Sequence, residues 1–94
     1  MAETSPTRTY VVITGDVQGV GFRYAAQRQA QSLGLQGWVR NAPNGSVEAV
    51  IEGSRDAVRS FISWAQSGPS GASVDWIETS EEPLHGENGF RILT

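Results

Sequence analysis

The sequence contains no cysteine and no lysine, and its single histidine is His85. Without cysteine the chain can form no disulfide and can carry out no thiolate or phosphocysteine chemistry. Without lysine it can be neither a Walker-type phosphate loop protein nor a Schiff-base enzyme. One histidine also excludes a zinc site that needs paired histidines. Any phosphate chemistry therefore depends on backbone amides and on arginine, which accounts for all seven basic residues.

Long apolar runs and an excess of positive charge are also missing. No stretch is apolar enough to span a bilayer, and the first residues lack the apolar segment of a secretory signal, so we expect a cytoplasmic protein without a membrane partner. Ten acidic residues against seven basic ones give a net charge of −3, which weighs against nucleic acid as a partner. Ninety-four residues provide for one domain with one core.

Residues 15–23, Gly-Asp-Val-Gln-Gly-Val-Gly-Phe-Arg, join a β-type run to a helix-type run. Three glycines let this backbone adopt positive φ angles, so that successive N–H groups can converge on an anion at a helix N-terminus. Arg23 falls in the first helical turn, where the helix dipole disfavours a cation by about 0.3–1 kcal/mol unless an anion is bound. On spacing alone, an anion site and a tight turn with a solvated arginine are equally good interpretations.

The apolar pattern predicts seven elements in the order β, α, β, β, α, β, β. Residues 1–7 are polar and aperiodic, and we expect them to form a flexible tail before a domain at residues 8–94. Right-handed crossovers and a central hairpin at Asn44-Gly45 then give an α+β sandwich with both helices on one sheet face. The predicted strands are 8–14, 37–42, 46–52, 73–79 and 90–93, and the predicted helices are 22–33 and the segment between Ser54 and Gly68.

Two segments resemble the signature segments of the acylphosphatase family. They are residues 15–23 and residues 37–48, Gly-Trp-Val-Arg-Asn-Ala-Pro-Asn-Gly-Ser-Val-Glu, and the similarity extends over nearly all of residues 8–93. Two linked motifs at the family's spacing are far more specific than one glycine loop. The resemblance implies a ferredoxin-like βαββαβ sandwich, with an antiparallel sheet, two helices on one face and a short extra C-terminal strand.

The resemblance also implies hydrolysis of carboxyl-phosphate anhydrides without a metal, a cofactor or a covalent intermediate. Arg23 and the loop amides would hold the phosphate, and Asn41 would position the attacking water. The partners would be a small acyl phosphate and inorganic phosphate, the latter as product and competitive inhibitor, and we expect a monomer. The implied phosphate loop consists of Asp16, Val17, Gln18, Gly19, Val20, Gly21 and Phe22.

These residue types suit that reaction. The carboxylate of an acyl phosphate is a good leaving group, so positioning of water and stabilisation of phosphoryl charge matter more than proton transfer. Arg23 offers a planar fork for two phosphate oxygens. Asn41 can accept a hydrogen bond from water and donate one to phosphate, although without the resemblance we would interpret it as a strand-end turn residue. Asp16 departs from the family pattern, since a carboxylate beside a dianion weakens binding unless it points to solvent.

The sequence leaves two other functions open. A nucleic-acid-binding βαββαβ domain would display aromatic residues on its open sheet face, where the third predicted strand offers Glu48, Val50 and Glu52. A non-catalytic ligand-sensing or carbamoyl-transfer accessory module is the other, because acylphosphatase-like domains also occur at the front of hydrogenase-maturation proteins. The presence of both Arg23 and Asn41 favours catalysis.

Overall fold

A five-stranded sheet and two helices make up residues 5–93, the part of the chain that the computed structural model describes. The strand order across the sheet is β4-β1-β3-β2-β5, and the element order is the expected one. This arrangement confirms the predicted ferredoxin-like α+β fold. The elements are β1 (Pro6–Asp16), α1 (Phe22–Ser32), β2 (Gln36–Asn41), β3 (Val47–Ser54), α2 (Arg55–Ala65), β4 (Ser73–Glu82) and β5 (Phe90–Ile92).

The short last strand lies at one edge of the sheet. The sequence predicts an antiparallel sheet, and three of the four described strand pairs are antiparallel, whereas β5 runs parallel to β2 with Val39 opposite Ile92. β4 lies at one edge of the sheet. The chain then crosses to the opposite edge, where β5 runs in the same direction as β2. The Leu93 N–H then donates to the Val39 carbonyl at 2.9 Å and secures the end of the chain.

β1 and β4 extend by several residues beyond the strands that the sequence predicts. β1 begins at Pro6, and Thr7 is buried and lies opposite Gly53, so the end of the predicted tail belongs to the sheet; residues 1–4 of that tail lie outside the described residues. β4 continues to Glu82, which lies opposite Arg8, so the predicted end of this strand at residue 79 was wrong. Pairing along the whole of β1 overrides the weak β propensity of the Ser-Glu-Glu end of β4.

The core lies between the sheet and the two helices. Both helices turn a stripe of small and aromatic side chains towards the sheet, and the small residues Ala26 and Ala30 let α1 pack closely. The Trp64 ring contacts Phe22 and Phe61 with centroid separations of 5.5 and 5.6 Å, which joins the two helices. Within residues 5–93, neither helix has the length and apolarity needed to cross a membrane.

Candidate active site

The predicted site residues belong to segments that lie at the same end of the sheet. β1 and β2 end there, β3 begins there, and α1 begins after the loop that follows β1. Ile13 lies opposite Val47, and Val47 lies opposite Asn41, so three neighbouring strands are in register at this end. The topology therefore places the start of α1, with Arg23, at the same end of the sheet as Asn41.

The loop between β1 and α1 has the backbone that the glycines predict. Gly19 and Gly21 have φ angles of 76° and 77°, in the left-handed region that side-chain-bearing residues avoid. Val17 and Phe22 are each about 1% exposed and anchor the two ends of the loop in the core. A Cβ atom at either of the two glycines would meet nothing within 4 Å, so backbone conformation and not space requires glycine there.

The N-terminus of α1 has no capping side chain. Gly21 occupies the N-cap position without a side-chain hydrogen bond, and the first turn contains no acidic residue. The first N–H groups of a helix have no partner within the helix, and they attract anions together with the helix dipole. Among residues 5–93, no carboxylate side chain satisfies this helix end.

Arg23 lies half-buried in that first turn. Its guanidinium forms no hydrogen bond or ion pair with another residue in the described part of the chain. A half-buried cation at the positive end of a helix is unfavourable on its own, because nothing compensates for the dipole. The guanidinium is thus available to an external anion.

Asn41 is half-buried at the end of β2 and shares the helix-facing side of the sheet with Val39, as the alternation predicts. Its side-chain amide has no hydrogen-bond partner within residues 5–93. Arg40 points the other way and pairs with Glu48, with 2.6 Å between Nε and Oε1. The amide of Asn41 is therefore the polar side chain that β2 offers to the site.

The side chains of Asp16 and Gln18, two residues of the predicted phosphate loop, have different surroundings. Asp16 is the last residue of β1, lies opposite Ser73 and is exposed, which leaves its carboxylate in solvent. Gln18 uses its side chain as well, since Nε2 donates to the carbonyls of Ala42 at 2.8 Å and Ser46 at 2.9 Å. Those acceptors are 24 and 28 residues away, and no local pattern in the sequence indicates such a contact.

A second charged cluster lies at the other end of β1. The Arg8 guanidinium donates to Glu82 at 2.9 Å, Glu52 at 3.0 Å and Glu87 at 2.9 Å. Glu52 also accepts backbone N–H groups from residues 85, 86 and 87. Eight residues of extended strand put this cluster roughly 26 Å from Asp16, so it belongs to a separate part of the molecule that the sequence analysis did not identify.

Arg8 and Glu52 of this cluster stay charged, and so does Glu48, which lies further along β3. Burial alone raises the pKa of Glu52, but the backbone N–H groups of His85 and Glu87 and the Arg8 guanidinium lower it below its usual value. Burial likewise opposes ionisation of Arg8, yet its hydrogen bonds to carboxylates raise its pKa. For Glu48, hydrogen bonds from Arg40 and Tyr10 outweigh burial and lower the pKa. All three effects favour the ion-paired state.

The open face of the sheet carries acidic side chains. Glu48 accepts a hydrogen bond from the Tyr10 hydroxyl at 2.9 Å on this face. A depression of about 310 Å³ beside it is lined by Tyr10, Val12, Glu78, Thr79 and Ser80. Carboxylates at these positions repel a phosphate backbone, which disfavours the nucleic-acid alternative. Within residues 5–93, no group of three or more His, Asp or Glu residues could hold a metal ion.

Fold and site together define a small ferredoxin-like domain with a glycine loop and an uncapped helix N-terminus at one end of its sheet. The acylphosphatase family model matches residues 9–92 of this chain. The acylphosphatase of Thermococcus kodakarensis is 48% identical over 86 residues, which cover 92% of this chain and 94% of that protein. The chain belongs to the acylphosphatase family, and it is a hydrolase that acts on acyl phosphates.

Solved structures agree with this assignment. An acylphosphatase from Coxiella burnetii superposes with a TM-score of 0.92 at 34% identity, and the match covers 99% of this chain and 100% of that one. Full-length HypF in its phosphate- and nucleotide-bound form superposes with a TM-score of 0.91 at 28% identity. The match covers 97% of this chain but 12% of HypF, so the two share a domain and not an overall architecture.

Proposed function

We propose that this acylphosphatase hydrolyses small acyl phosphates by direct attack of water, with the phosphate held by Arg23 and the amides of residues 16–22. Asn41 positions the water. The observation that carries the proposal is the half-buried Arg23 in the first turn of an uncapped helix. Its guanidinium has no partner among residues 5–93, and it lies at the same end of the sheet as Asn41.

Phosphate reverses the unfavourable electrostatics of this helix end. The dianion accepts hydrogen bonds from the loop amides and from two N–H groups of the Arg23 fork, and it lies at the positive end of the α1 dipole. Charge on the phosphoryl oxygens meets donors that are already oriented, so little reorganisation accompanies the reaction. These contacts concern the phosphoryl group and not the acyl group, and we therefore expect weak discrimination between acyl groups.

Water attacks without a dedicated base in this proposal. The Asn41 carbonyl oxygen accepts a hydrogen bond from the water, while its amide N–H donates to a phosphate oxygen. The departing carboxylate needs no proton at neutral pH, since its pKa lies near 4. His85 belongs to the segment that binds Glu52 at the far end of β1, and Asp16 faces solvent. Neither residue is placed to act as a general base.

Hydrolysis of benzoyl phosphate in the presence of a metal chelator tests the proposal. We expect full activity in chelator and competitive inhibition by inorganic phosphate, because product and substrate share the phosphate contacts. Inhibition that changes the maximal rate alone would show that the loop is not the substrate site. Loss of activity in chelator, restored by a divalent cation, would contradict the metal-independent mechanism.

We also propose that the protein works as a monomer in the cytoplasm. One chain supplies the loop, Arg23 and Asn41, so the site needs no residue from a second copy. Light scattering after gel filtration tests the first statement, and a dimer at assay concentration would contradict it. Cell fractionation followed by an acylphosphatase assay tests the second.

A further inference from the structure

The Gln18 side chain connects the two halves of the site. Its Nε2 donates to the Ala42 carbonyl at 2.8 Å and to the Ser46 carbonyl at 2.9 Å. Ala42 directly follows Asn41, and Ser46 directly precedes Val47, the residue opposite Asn41 in the sheet. The contact therefore joins the phosphate loop to the hairpin turn that begins beside Asn41.

We propose that Gln18 is a positioning residue that fixes the distance between the phosphate held by the loop and the water held by Asn41. This inference rests on the proposed function above. Because Gln18 acts through Asn41, its side chain controls the rate of the chemical step and not the affinity for phosphate.

The donor count of the side chain supports an indirect role. A glutamine amide has two N–H donors, and both are used on the carbonyls of Ala42 and Ser46. The remaining polar atom, Oε1, is an acceptor, and an acceptor does not stabilise a phosphate dianion. The Gln18 side chain thus has nothing left to donate to the substrate.

The loop needs such a connection because its own backbone is permissive. Gly19 directly follows Gln18 and Gly21 lies two residues further on, and glycine loses more conformational freedom on folding than other residues do. The turn between β2 and β3, which accepts the Gln18 hydrogen bonds, is closed by a hydrogen bond of 2.8 Å from the Ala42 N–H to the Ser46 carbonyl. The Gln18 side chain links the loop to this hydrogen-bonded turn. A displacement of about 1 Å between reacting groups can lower a rate about 100-fold.

Gln18→Met is the direct test, since it keeps the length of the side chain and removes both donors. We expect kcat for benzoyl phosphate to fall about 10- to 100-fold, while the inhibition constant of phosphate changes less than about threefold, because Arg23 and the loop amides remain. Gln27→Met is the matched control. Gln27 Nε2 likewise donates to a backbone carbonyl, that of Phe90 at 3.1 Å, but it joins α1 to β5. We expect its kcat to be unchanged.

A double variant separates positioning from a general loss of structure. If Gln18 works through Asn41, Gln18→Met has no further effect on kcat in an Asn41→Ala background, measured at high enzyme concentration. Equal losses in both backgrounds would overturn the proposal. So would an unchanged kcat in the single variant, or a phosphate inhibition constant that rises as much as kcat falls.

Folding and the proposed function have separate readouts. Circular dichroism shows whether Gln18→Met folds. If it does not, Gln18→Asn provides the second variant, because its amide is one methylene too short to reach the two carbonyls. If neither folds, Gln18 is a folding residue and the inference is overturned. Full activity in Arg23→Ala and Asn41→Ala would instead overturn the proposed function, whatever Gln18→Met does.

Discussion

Two arginines at opposite ends of the molecule have opposite surroundings. Arg8 is 8% exposed and donates to three carboxylates, which neutralise it within the fold. Arg23 is half-buried at a helix N-terminus and has no charged partner among residues 5–93. A guanidinium that the protein pairs internally contributes to folding, whereas one that it leaves unpaired is available for a ligand. The two arginines should therefore respond to mutation in opposite ways.

The two helix N-termini repeat this contrast. Ser54 caps α2 by accepting the Ala57 N–H at 3.1 Å, and Asp56 lies in the first turn. α1 has Gly21 at the same position without a side-chain cap, and Arg23 takes the place of an acidic residue. The N-terminus of α2 is capped and has a carboxylate at its positive end without any ligand. The N-terminus of α1 has neither, and a bound anion would stabilise it.

The largest expected effect is that of Arg23→Ala. We expect the rate of benzoyl phosphate hydrolysis to fall about 1,000-fold or more, since arginines that stabilise phosphoryl charge contribute on that scale. The free energy of unfolding should stay within about 0.5 kcal/mol of wild type or rise slightly, because a cation leaves the positive end of a helix. Urea unfolding and an activity assay measure both quantities. Arg23→Lys should restore little activity, because an ammonium group lacks the planar fork.

Asn41→Asp and Asn41→Ala distinguish positioning from base catalysis. A carboxylate at about 5 Å from phosphate, at an effective dielectric constant of about 20, costs about 3 kcal/mol per pair of unit charges. We expect both variants to be nearly inactive above pH 5, with Asn41→Ala still inhibited by phosphate and Asn41→Asp far less so. Comparable or faster hydrolysis by Asn41→Asp at neutral pH would indicate a general base and contradict the mechanism.

Arg8→Met should have the opposite phenotype to Arg23→Ala. Removal of one partner from a buried ion pair costs about 3–5 kcal/mol. Here it takes the guanidinium from the buried Glu52, while Glu87 keeps its ion pair with Arg91 at 3.5 Å. We expect a stability loss near the lower end of that range, because Glu52 keeps its backbone donors, and an unchanged kcat in the folded fraction. Arg59→Met changes an exposed arginine on α2 and serves as the control. We expect it to lower the free energy of unfolding by less than about 0.5 kcal/mol. Retained stability in Arg8→Met would show that the carboxylate cluster is not structural.

Glu52 of this cluster and Glu48, which pairs with Arg40, predict how stability depends on pH. The pKa of Glu52 and the pKa of Glu48 are lowered in the folded protein by hydrogen bonds that outweigh burial. Their contribution is therefore present above the unfolded-state pKa of about 4.3, and it is lost as the pH falls through the lower folded-state values. Urea unfolding between pH 7 and pH 2 measures this loss. Glu52→Gln should flatten the curve, and a wild-type curve that is level across this range would contradict the account.

Asp16→Ala should have the smallest effect. Its carboxylate is exposed at the end of β1, and an exposed charge interaction changes phosphate affinity less than about fivefold. We expect slightly tighter inhibition by phosphate and an unchanged kcat. A large loss of activity would instead make Asp16 a catalytic group and remove the contrast between an exposed acid and an unpaired arginine.

The parts of the site that the sequence predicts are local, and the parts that it misses depend on long-range contacts. The glycines of the loop, Arg23 in the first turn and the Ser54 cap follow from neighbours within a few residues. The partners of Arg8 are 44 to 79 residues away, and those of Gln18 are 24 and 28 residues away. Their pairing depends on which side chains the folded sheet brings together, and no pattern among neighbouring residues indicates those partners.

The end of β4 and the position of β5 show the same limit. Ser80, Glu81 and Glu82 have low strand propensity, and they are extended because β1 lies beside them. The irregular register between Thr14 and Gly15 likewise depends on the partner strand and has no signature within β1. Local rules thus predicted the element order, and the resemblance to the acylphosphatase family pointed to the candidate site residues, whereas tertiary pairing determined where the strands end.

The change in stability on adding phosphate tests the contrast between the two arginines most directly. A ligand that binds the folded state alone raises the free energy of unfolding by RT ln(1 + [L]/Kd), or about 2.7 kcal/mol at a concentration of 100 Kd. We expect phosphate to raise the free energy of unfolding, measured by urea, by the same amount in wild type and in Arg8→Met. In Arg23→Ala phosphate should leave it almost unchanged. An equal increase in Arg23→Ala would show that phosphate binds elsewhere and would contradict the account.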